Sequence, residues 1–330
     1  MASTQSTRVR RAVQRYAKER ERLEAVTDAY VALVTRLLDD AGINYLTVTG
    51  RTKSVESFAA KAARRLQGGR LAHPKPLTDI TDQVGVRVVT YVLADVDAVA
   101  QLLSSQLEVR EDRDMGRETA QEGRFGYSSR HLLVALGEDR DEAGIPADRP
   151  ASVQIRTVLQ HAWAEFEHDV RYKGSVPAEH APDFDRRFTL AAGLLELADQ
   201  QFSAIRDRHR EELTSPAEGA DDDPRISATD LAAFLAGQFA DAGWSRTDHY
   251  AWISGLLLEL GIGSLSELRE VLREVDIAQI DRHMGYRYPP GAVRRLDDAL
   301  LSVYRERYVG LHGNAHRVPL LRARLARFTG

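Results

Sequence analysis

Residues 51 to 65 read RTKSVESFAAKAARR, which gathers Arg51, Lys53 and Lys61 around two serines, Ser54 and Ser57. Cations beside the first turn of a helix suit a polyphosphate, because free backbone N–H groups, the helix dipole and the side-chain charges all favour anions. The same residues, continued by Arg64 and Arg65, also suit a solvated basic face. Downstream, TDITD places Asp79 and Asp82 just before an apolar run. A carboxylate at the end of a buried strand can hold Mg²⁺ beside phosphate oxygens, since this ion takes few protein ligands; both aspartates are equally at home in a turn. GYSSRH (126 to 131) offers Tyr127, a ring that can stack on a nucleobase, and His131 within reach of the same ligand. Further on, Ser152, Gln154 and Arg156 alternate along a strand. His161, Glu165 and His168 then share one face of the following helix at i, i+4 and i+7. That face suits either a metal or a hydrogen-bonded polar wall, whereas Trp163, Phe166 and Val170 are expected to pack in the core.

An irregular alternation of helices and strands through about residue 174 must position these groups. Helical spacing covers 8–41, NYLTVTGR (44 to 51) has strand character, and Ser54 starts a basic helix that Gly68-Gly69 stops. VGVRVVTYVL is apolar on both faces and reads as a central strand. Asp95 is expected to cap the next helix, with Val96, Val99, Leu102 and Leu103 as its buried stripe. A polar loop over 111–126 separates this helix from the strands HLLVAL and VQIR. The fold class is therefore α+β, a mixed β-sheet flanked by helices. After a further helix over 184–213, TSPAEGADDDPR has a linker's composition, and only helical segments follow. The expected organisation is an α+β domain over 1–213, an acidic linker over 214–226, and a small all-α domain over 227–330, started by the cap Ser227 and suited to regulation. Trp244, Tyr250 and Trp252 are candidates for that domain's own core or for a partner surface.

Composition sets outer limits. Of 330 residues, 43% are hydrophobic and 28% charged, which fits a globular chain with a sizeable core. The absence of cysteine excludes disulfides and thiolate metal sites and agrees with a reducing cytosol. No apolar run approaches a membrane span, so the cytoplasm is the expected location and no membrane is an expected partner. A net charge of -4 argues against wholesale coating of nucleic acid.

Taken in order, five segments resemble the RelA/SpoT-type alarmone synthetase domain. They are Arg51-Thr-Lys53-Ser54-x-x-Ser57 with Lys61, Asp82-x-x-Gly85-x-Arg87, Gly126-Tyr127-x-Ser129-x-His131, VQIRT (153 to 157), and HAWAEFEHDVRYK (161 to 173). The resemblance extends over about residues 8 to 210. It implies a nucleotidyltransferase-like sheet that moves the β,γ-pyrophosphate of ATP onto the ribose 3′-hydroxyl of GTP or GDP with Mg²⁺, the (p)ppGpp chemistry of the stringent response. It also implies that Arg51, Lys53 and Lys61 grip the ATP phosphates, with Ser54 and Ser57 in the same turn, and that Asp82 holds Mg²⁺. Tyr127 would stack the acceptor guanine near His131, while Gln154, Arg156, Glu165 and His168 frame the pocket. The family's hydrolase domain has no counterpart in this chain.

Two departures matter. The family's strand reads Glu-x-Gln-x-Arg-Thr, where the glutamate is a second essential carboxylate; here that position is Ser152. A serine is neither an anionic ligand nor a useful base, and losing a general base typically costs about 10²- to 10⁴-fold. The loop ahead of Tyr127, which carries a Pro-Lys pair in the family, reads Glu122-Gly123-Arg124-Phe125, so Arg124 is the substitute cation. The expectation is a slow or altered pyrophosphokinase. The alternatives are a catalytically inactive nucleotide-binding protein, or an enzyme whose acceptor is an adenosine nucleotide or the 3′ end of tRNA. A protein or RNA partner for the helical domain, and a homo-oligomer, stay open.

Overall fold

The computed structural model describes residues 2–116, 118, 129–137, 142–173, 180–212, 225–240, 242–243 and 245–328. The chain divides into two compact units, Met1–Arg36 with Tyr45–Phe202, and Leu37–Asn44 with Ser203–Gly330.

The first unit is built on a five-stranded sheet. In chain order the elements as far as residue 212 are helix α1 (Ala2–Ala41), β1 (Thr47–Thr52), α2 (Val55–Ala63), α3 (Pro76–Asp79), β2 (Val84–Thr90) and α4 (Leu93–Gln106). Strands β3 (Glu108–Asp114), β4 (Arg130–Ala135) and β5 (Ala151–Thr157) follow, then α5 (Val158–Lys173) and α6 (Ala181–Glu212). The strand order is β1-β2-β5-β4-β3, with β2 and β5 parallel and the other pairs antiparallel. The expected mixed α+β sheet is thus observed, with β2 and β5 in its interior. Their alternate residues Val84, Val86, Val88, Val153 and Ile155 are buried, while Gly85, Arg87, Ser152, Gln154 and Arg156 point to the other, half-open face. Helix α1 closes on β1 at Gly50, where a Cβ would stand 2.6 Å from Thr27 Cγ2 and 2.9 Å from Val31 Cγ2. Only glycine permits that approach.

Several local expectations need correction. Helix α2 stops at Ala63 rather than at Gly68, because Arg64 turns to an extended backbone and Arg65 forms a bridge with Leu71. Gly68 and Gly69, both at positive φ, make the turn of that bridge. Asp95 lies in the first turn of α4, and the cap position is Val92. The polar loop begins later than expected, since Glu108–Asp114 is an edge strand; five of its six charged residues are exposed, as an edge that must not recruit another chain requires. Trp163 is buried against the edge of Phe188, but Phe166 is exposed.

The second unit is helical: α7 (Ala228–Gln238), α8 (Thr247–Leu260), α9 (Leu265–Arg273), α10 (Ile277–Met284), α11 (Ala292–Tyr304), α12 (Glu306–Val309), a 3₁₀ turn (His312–Arg317) and α13 (Val318–Ala326). Ser227 caps α7 by accepting from the Asp230 N–H, and Ser264 with Glu267 forms a reciprocal cap on α9. Tyr250 belongs to the unit's core and Trp252 packs against it; Trp244 lies outside the described residues. Of the expected linker, residues 214–224 also lie outside them, while Ile226 is buried in the helical core and its carbonyl accepts from Ser254 Oγ at 2.5 Å. Asp297 and Asp298 are buried among Arg294, Arg317 and Arg324. Among the described residues no single helix is long and apolar enough to cross a membrane. The bent pair α8–α9 passes on length and composition together, yet its Ile253, Leu256, Leu257 and Leu268 are core residues of this unit.

Candidate active site

The registers of β1, β2, β4 and β5 dictate which side chains meet. Arg51 pairs with Gly85 and Gly85 with Ser152, so these three form one row across the sheet. Two residues along, Thr49, Arg87, Gln154 and His131 form the next row on the same face. Gly85 keeps the floor low, for a Cβ there would come within 3.1 Å of the Arg51 carbonyl oxygen. Above this floor opens a pocket of about 330 Å³ lined by Arg51, Lys53, Asp82, Arg87, Ser152 and Gln154, among others. The structure therefore brings together five of the residues singled out from sequence, contributed by β1, β5 and the turns flanking β1 and β2.

Lys53 is fixed through its backbone. Tyr16 stacks on Phe58 with centroids 4.1 Å apart, which aims its hydroxyl at the Lys53 carbonyl, 2.6 Å away. The Lys53 N–H donates to the Gln83 carbonyl at 3.0 Å. The side chain then reaches Asp82, with Lys53 Nζ donating to Oδ2 at 2.8 Å. Lys61 Nζ lies 3.1 Å from Asp82 Oδ1. It is not directed for a hydrogen bond, so this buried oxygen keeps a lone pair without a directed donor. Burial pushes the Asp82 carboxyl up, but the hydrogen bond and charge of Lys53 and then the nearby Lys61 ammonium outweigh it and hold its pKa below the ordinary value. A hard divalent cation fits this arrangement: one carboxylate oxygen is available, and the remaining ligands of such an ion are oxygens of phosphate and water. No cluster of three or more His, Asp or Glu among the described residues offers a closed metal site, the His161, Glu165 and His168 face included.

Ser54 caps α2 by accepting from the Ser57 N–H at 3.1 Å and donates to Ser57 Oγ at 3.0 Å, so both hydroxyls belong to the helix start. Asp79 is likewise structural, its Oδ2 accepting from the Lys75 N–H at 2.6 Å. Arg156 donates to Gln154 Oε1 at 3.2 Å; burial, and then the charge of Arg87, lower its pKa. His131 Nε2 stands 2.6 Å from Ser129 Oγ, and burial followed by the charges of Arg156 and Arg113 keeps the ring neutral below its ordinary range. Glu165 pairs with Arg87 at 2.9 Å, and His161 Nδ1 is 3.8 Å from the same Glu165 oxygen. Of the residues expected to frame the pocket, Gln154 lines it, whereas Arg156, Glu165 and the exposed His168 are not among its lining residues. Arg124 and Tyr127 lie outside the described residues. The sequence motif contained Arg87 without assigning it a task. Its place in the pocket follows from the period-two alternation with Gly85, which was the available signal.

Comparison with known proteins settles the lineage. The signature of a region found in RelA / SpoT proteins matches residues 50–176. GTP pyrophosphokinase YjbM of Bacillus subtilis (strain 168) is 30% identical over 168 residues, 48% of this chain and 71% of that one. The chain belongs to the RelA/SpoT family. Among solved structures, small alarmone synthetase 1 from Bacillus subtilis bound to its product pppGpp is 25% identical with a TM-score of 0.45, covering 60% of this chain and 97% of that one. Small alarmone synthetase 2 from the same organism is 22% identical with a TM-score of 0.44, over 58% and 98%. The RelA/SpoT signature spans every pocket-lining residue but Thr49.

Proposed function

We propose that this RelA/SpoT-family unit is an ATP-dependent pyrophosphotransferase of low turnover, acting on the 3′-hydroxyl of a guanosine nucleotide. The observation that carries the reading is the pocket itself, lined by Arg51, Lys53 and Arg87 and, among the described residues, by a single carboxylate, Asp82. Transfer requires the acceptor 3′-oxygen to bond to Pβ of ATP while the bond from Pβ to the α–β bridging oxygen breaks and AMP leaves. Such a displacement needs positioning and charge neutralisation more than covalent help. In this reading Arg51, Lys53 and Lys61 hold the phosphates and Asp82 Oδ1 holds Mg²⁺, which when bound would neutralise charge on the transferring group. Gln154 and Arg156 line the approach of the acceptor, and Tyr127 and Arg124 receive its base and phosphates.

The weak point is the proton of the attacking hydroxyl. Ser152 occupies the pocket where the family carries its glutamate, and Asp82, the one lining carboxylate among the described residues, pairs with Lys53 and in this reading holds the metal. Proton removal then falls to water, at a cost of about 10²- to 10⁴-fold relative to a positioned base. The same observation favours the second reading, a nucleotide-binding protein without turnover. Purified protein incubated with Mg²⁺, labelled ATP and, separately, GDP, GTP, an adenosine nucleotide or tRNA decides between them. Slow 3′-pyrophosphorylation of GDP or GTP supports the proposal. Transfer only to the adenosine nucleotide or tRNA moves the acceptor, and binding with no transfer to any acceptor establishes the second reading.

A further inference from the structure

Asp199 of α6 is fully buried in the α+β unit and takes no part in the pocket described above. Its Oδ2 accepts from Thr157 Oγ1 at 2.7 Å, across 42 residues of chain. Thr157 is the last residue of β5. Strand alternation turns its side chain to the buried face with Val153 and Ile155, so the hydroxyl must find its partners in the interior. The Gln160 N–H donates to Thr157 Oγ1 at 3.1 Å and the Thr157 N–H donates to Gln160 Oε1 at 2.9 Å, a reciprocal cap on the start of α5. The hydroxyl hydrogen that this cap leaves over goes to Asp199. A helix amino terminus also favours the negative charge of a carboxylate.

The anchored residue adjoins Arg156, whose carbonyl accepts from Thr90 Oγ1 at 3.4 Å and whose guanidinium donates to Gln154 Oε1 at 3.2 Å. Arg156 Nε is buried and has no hydrogen-bond partner among the described residues, so its aim depends on where β5 ends. The same cap starts α5, which carries Glu165 to Arg87 at 2.9 Å. The phosphate side has other supports: Lys53 is held by Tyr16 from α1 and by the Gln83 carbonyl. We propose, on the reading in which Gln154 and Arg156 meet the acceptor, that Asp199 is a positioning residue for that nucleotide, acting through Thr157. Burying a carboxyl group is harder than burying an apolar pair of the same volume. What it adds is direction, because such supporting bonds hold functional groups within roughly 0.5 Å of their working geometry.

The test is calorimetric titration of the full chain with GDP and, separately, with ATP and Mg²⁺. Asp199→Ala should weaken GDP binding at least about tenfold and ATP binding less than about twofold, since only the acceptor side loses its support. Asp199→Asn, whose amide oxygen can still accept from Thr157, should restore GDP affinity to within about threefold of the wild type. Thr157→Val deletes the donor and leaves Asp199 in place; it should reproduce the Asp199→Ala pattern, and it stands in for that variant if Asp199→Ala fails to fold. In transfer assays the KM for GDP should rise in Asp199→Ala while the KM for ATP stays. Equal weakening of both ligands, unchanged GDP binding in Asp199→Ala and Thr157→Val, or failure of both variants to fold makes the bond merely structural and overturns the proposal. A wild type that binds ATP but not GDP removes the guanosine-acceptor reading, and this role of Asp199 with it, so the two failures are told apart.

Discussion

Replacing Asp82 by asparagine should change nucleotide affinity in opposite directions with and without Mg²⁺. In the structure the carboxylate ties up Lys53 Nζ at 2.8 Å and lies 3.1 Å from Lys61 Nζ. A phosphate gripped on the far side of those ammonium groups would sit roughly 6 Å from the carboxylate. Coulomb's law then gives a repulsion of about 0.7 kcal/mol at the dielectric of water and about 2.8 kcal/mol at an effective dielectric near 20. The Lys53 and Asp82 side chains are 14% and 35% exposed, so the lower end of that interval, about 0.7–1.4 kcal/mol, applies, equivalent to about three- to tenfold in affinity. In EDTA, Asp82→Asn should therefore bind ATP about three- to tenfold more tightly, because two lysines are released and a negative charge is gone. With Mg²⁺ in excess the same variant loses the oxygen that fits the cation and should bind at least about tenfold more weakly. Paired calorimetric titrations measure both. A shift in the same direction under both conditions, or none with Mg²⁺, would refute the assignment of Asp82 as metal ligand.

Other expectations are more local. Gly50→Ala places a Cβ 2.6 Å from Thr27 Cγ2, and overpacking of this kind costs about 1–3 kcal/mol, readable as a lowered urea midpoint; an unchanged midpoint would mean that α1 simply shifts away. Asp297→Ala takes the carboxylate from Arg317 in the helical core and leaves Arg324 with Asp298 alone, and breaking a buried pair costs about 3–5 kcal/mol, so the thermal transition of the full chain should fall sharply. A loss under about 1 kcal/mol would show that the cluster is dispensable. His131 resists protonation in the fold while the unfolded chain takes up a proton below about 6.5, so stability is lost as pH falls from there toward the depressed folded value. His131→Asn should flatten part of that loss between pH 7 and pH 5; an identical pH profile would remove His131 from the account.

How far the sequence disclosed this arrangement depends on what each feature needs. The interior strands β2 and β5 were legible because burial on both sides or strict alternation leaves a pattern in the residues themselves. Edge strand β3 was not, since EVREDRD pairs on one side only and keeps its charges in water, which is also how a loop reads. The end of α2 was misjudged because Gly68-Gly69 punctuates the chain plainly, while the bridge between Arg65 and Leu71 that ends the helix earlier is a pairing across a turn. At the site, Lys53, Asp82, Ser152 and Gln154 carried recognisable types at recognisable spacing. Arg87 and the bond from Tyr16 to the Lys53 carbonyl depended on strand register and helix packing, which no local pattern contains. Phe166 was misplaced because its spacing from Trp163 suits a buried stripe, yet α5 turns it outward.

The central claim is that a pyrophosphotransferase pocket is intact but short of one carboxylate, and Ser152→Glu tests it most directly. Ser152 lies in the row with Arg51 and Gly85, beside the pocket that Asp82 lines, so a glutamate there returns a second anionic oxygen to the site. The measurement is the initial rate of pyrophosphate transfer from labelled ATP to GDP or GTP, for wild type and Ser152→Glu side by side, with ATP affinity checked in both. A slow wild type and a rise of at least about tenfold in the variant, the modest end of what a positioned base supplies, is the predicted result. Fast turnover by the wild type, or a variant that binds ATP and gains nothing with either acceptor, would contradict it.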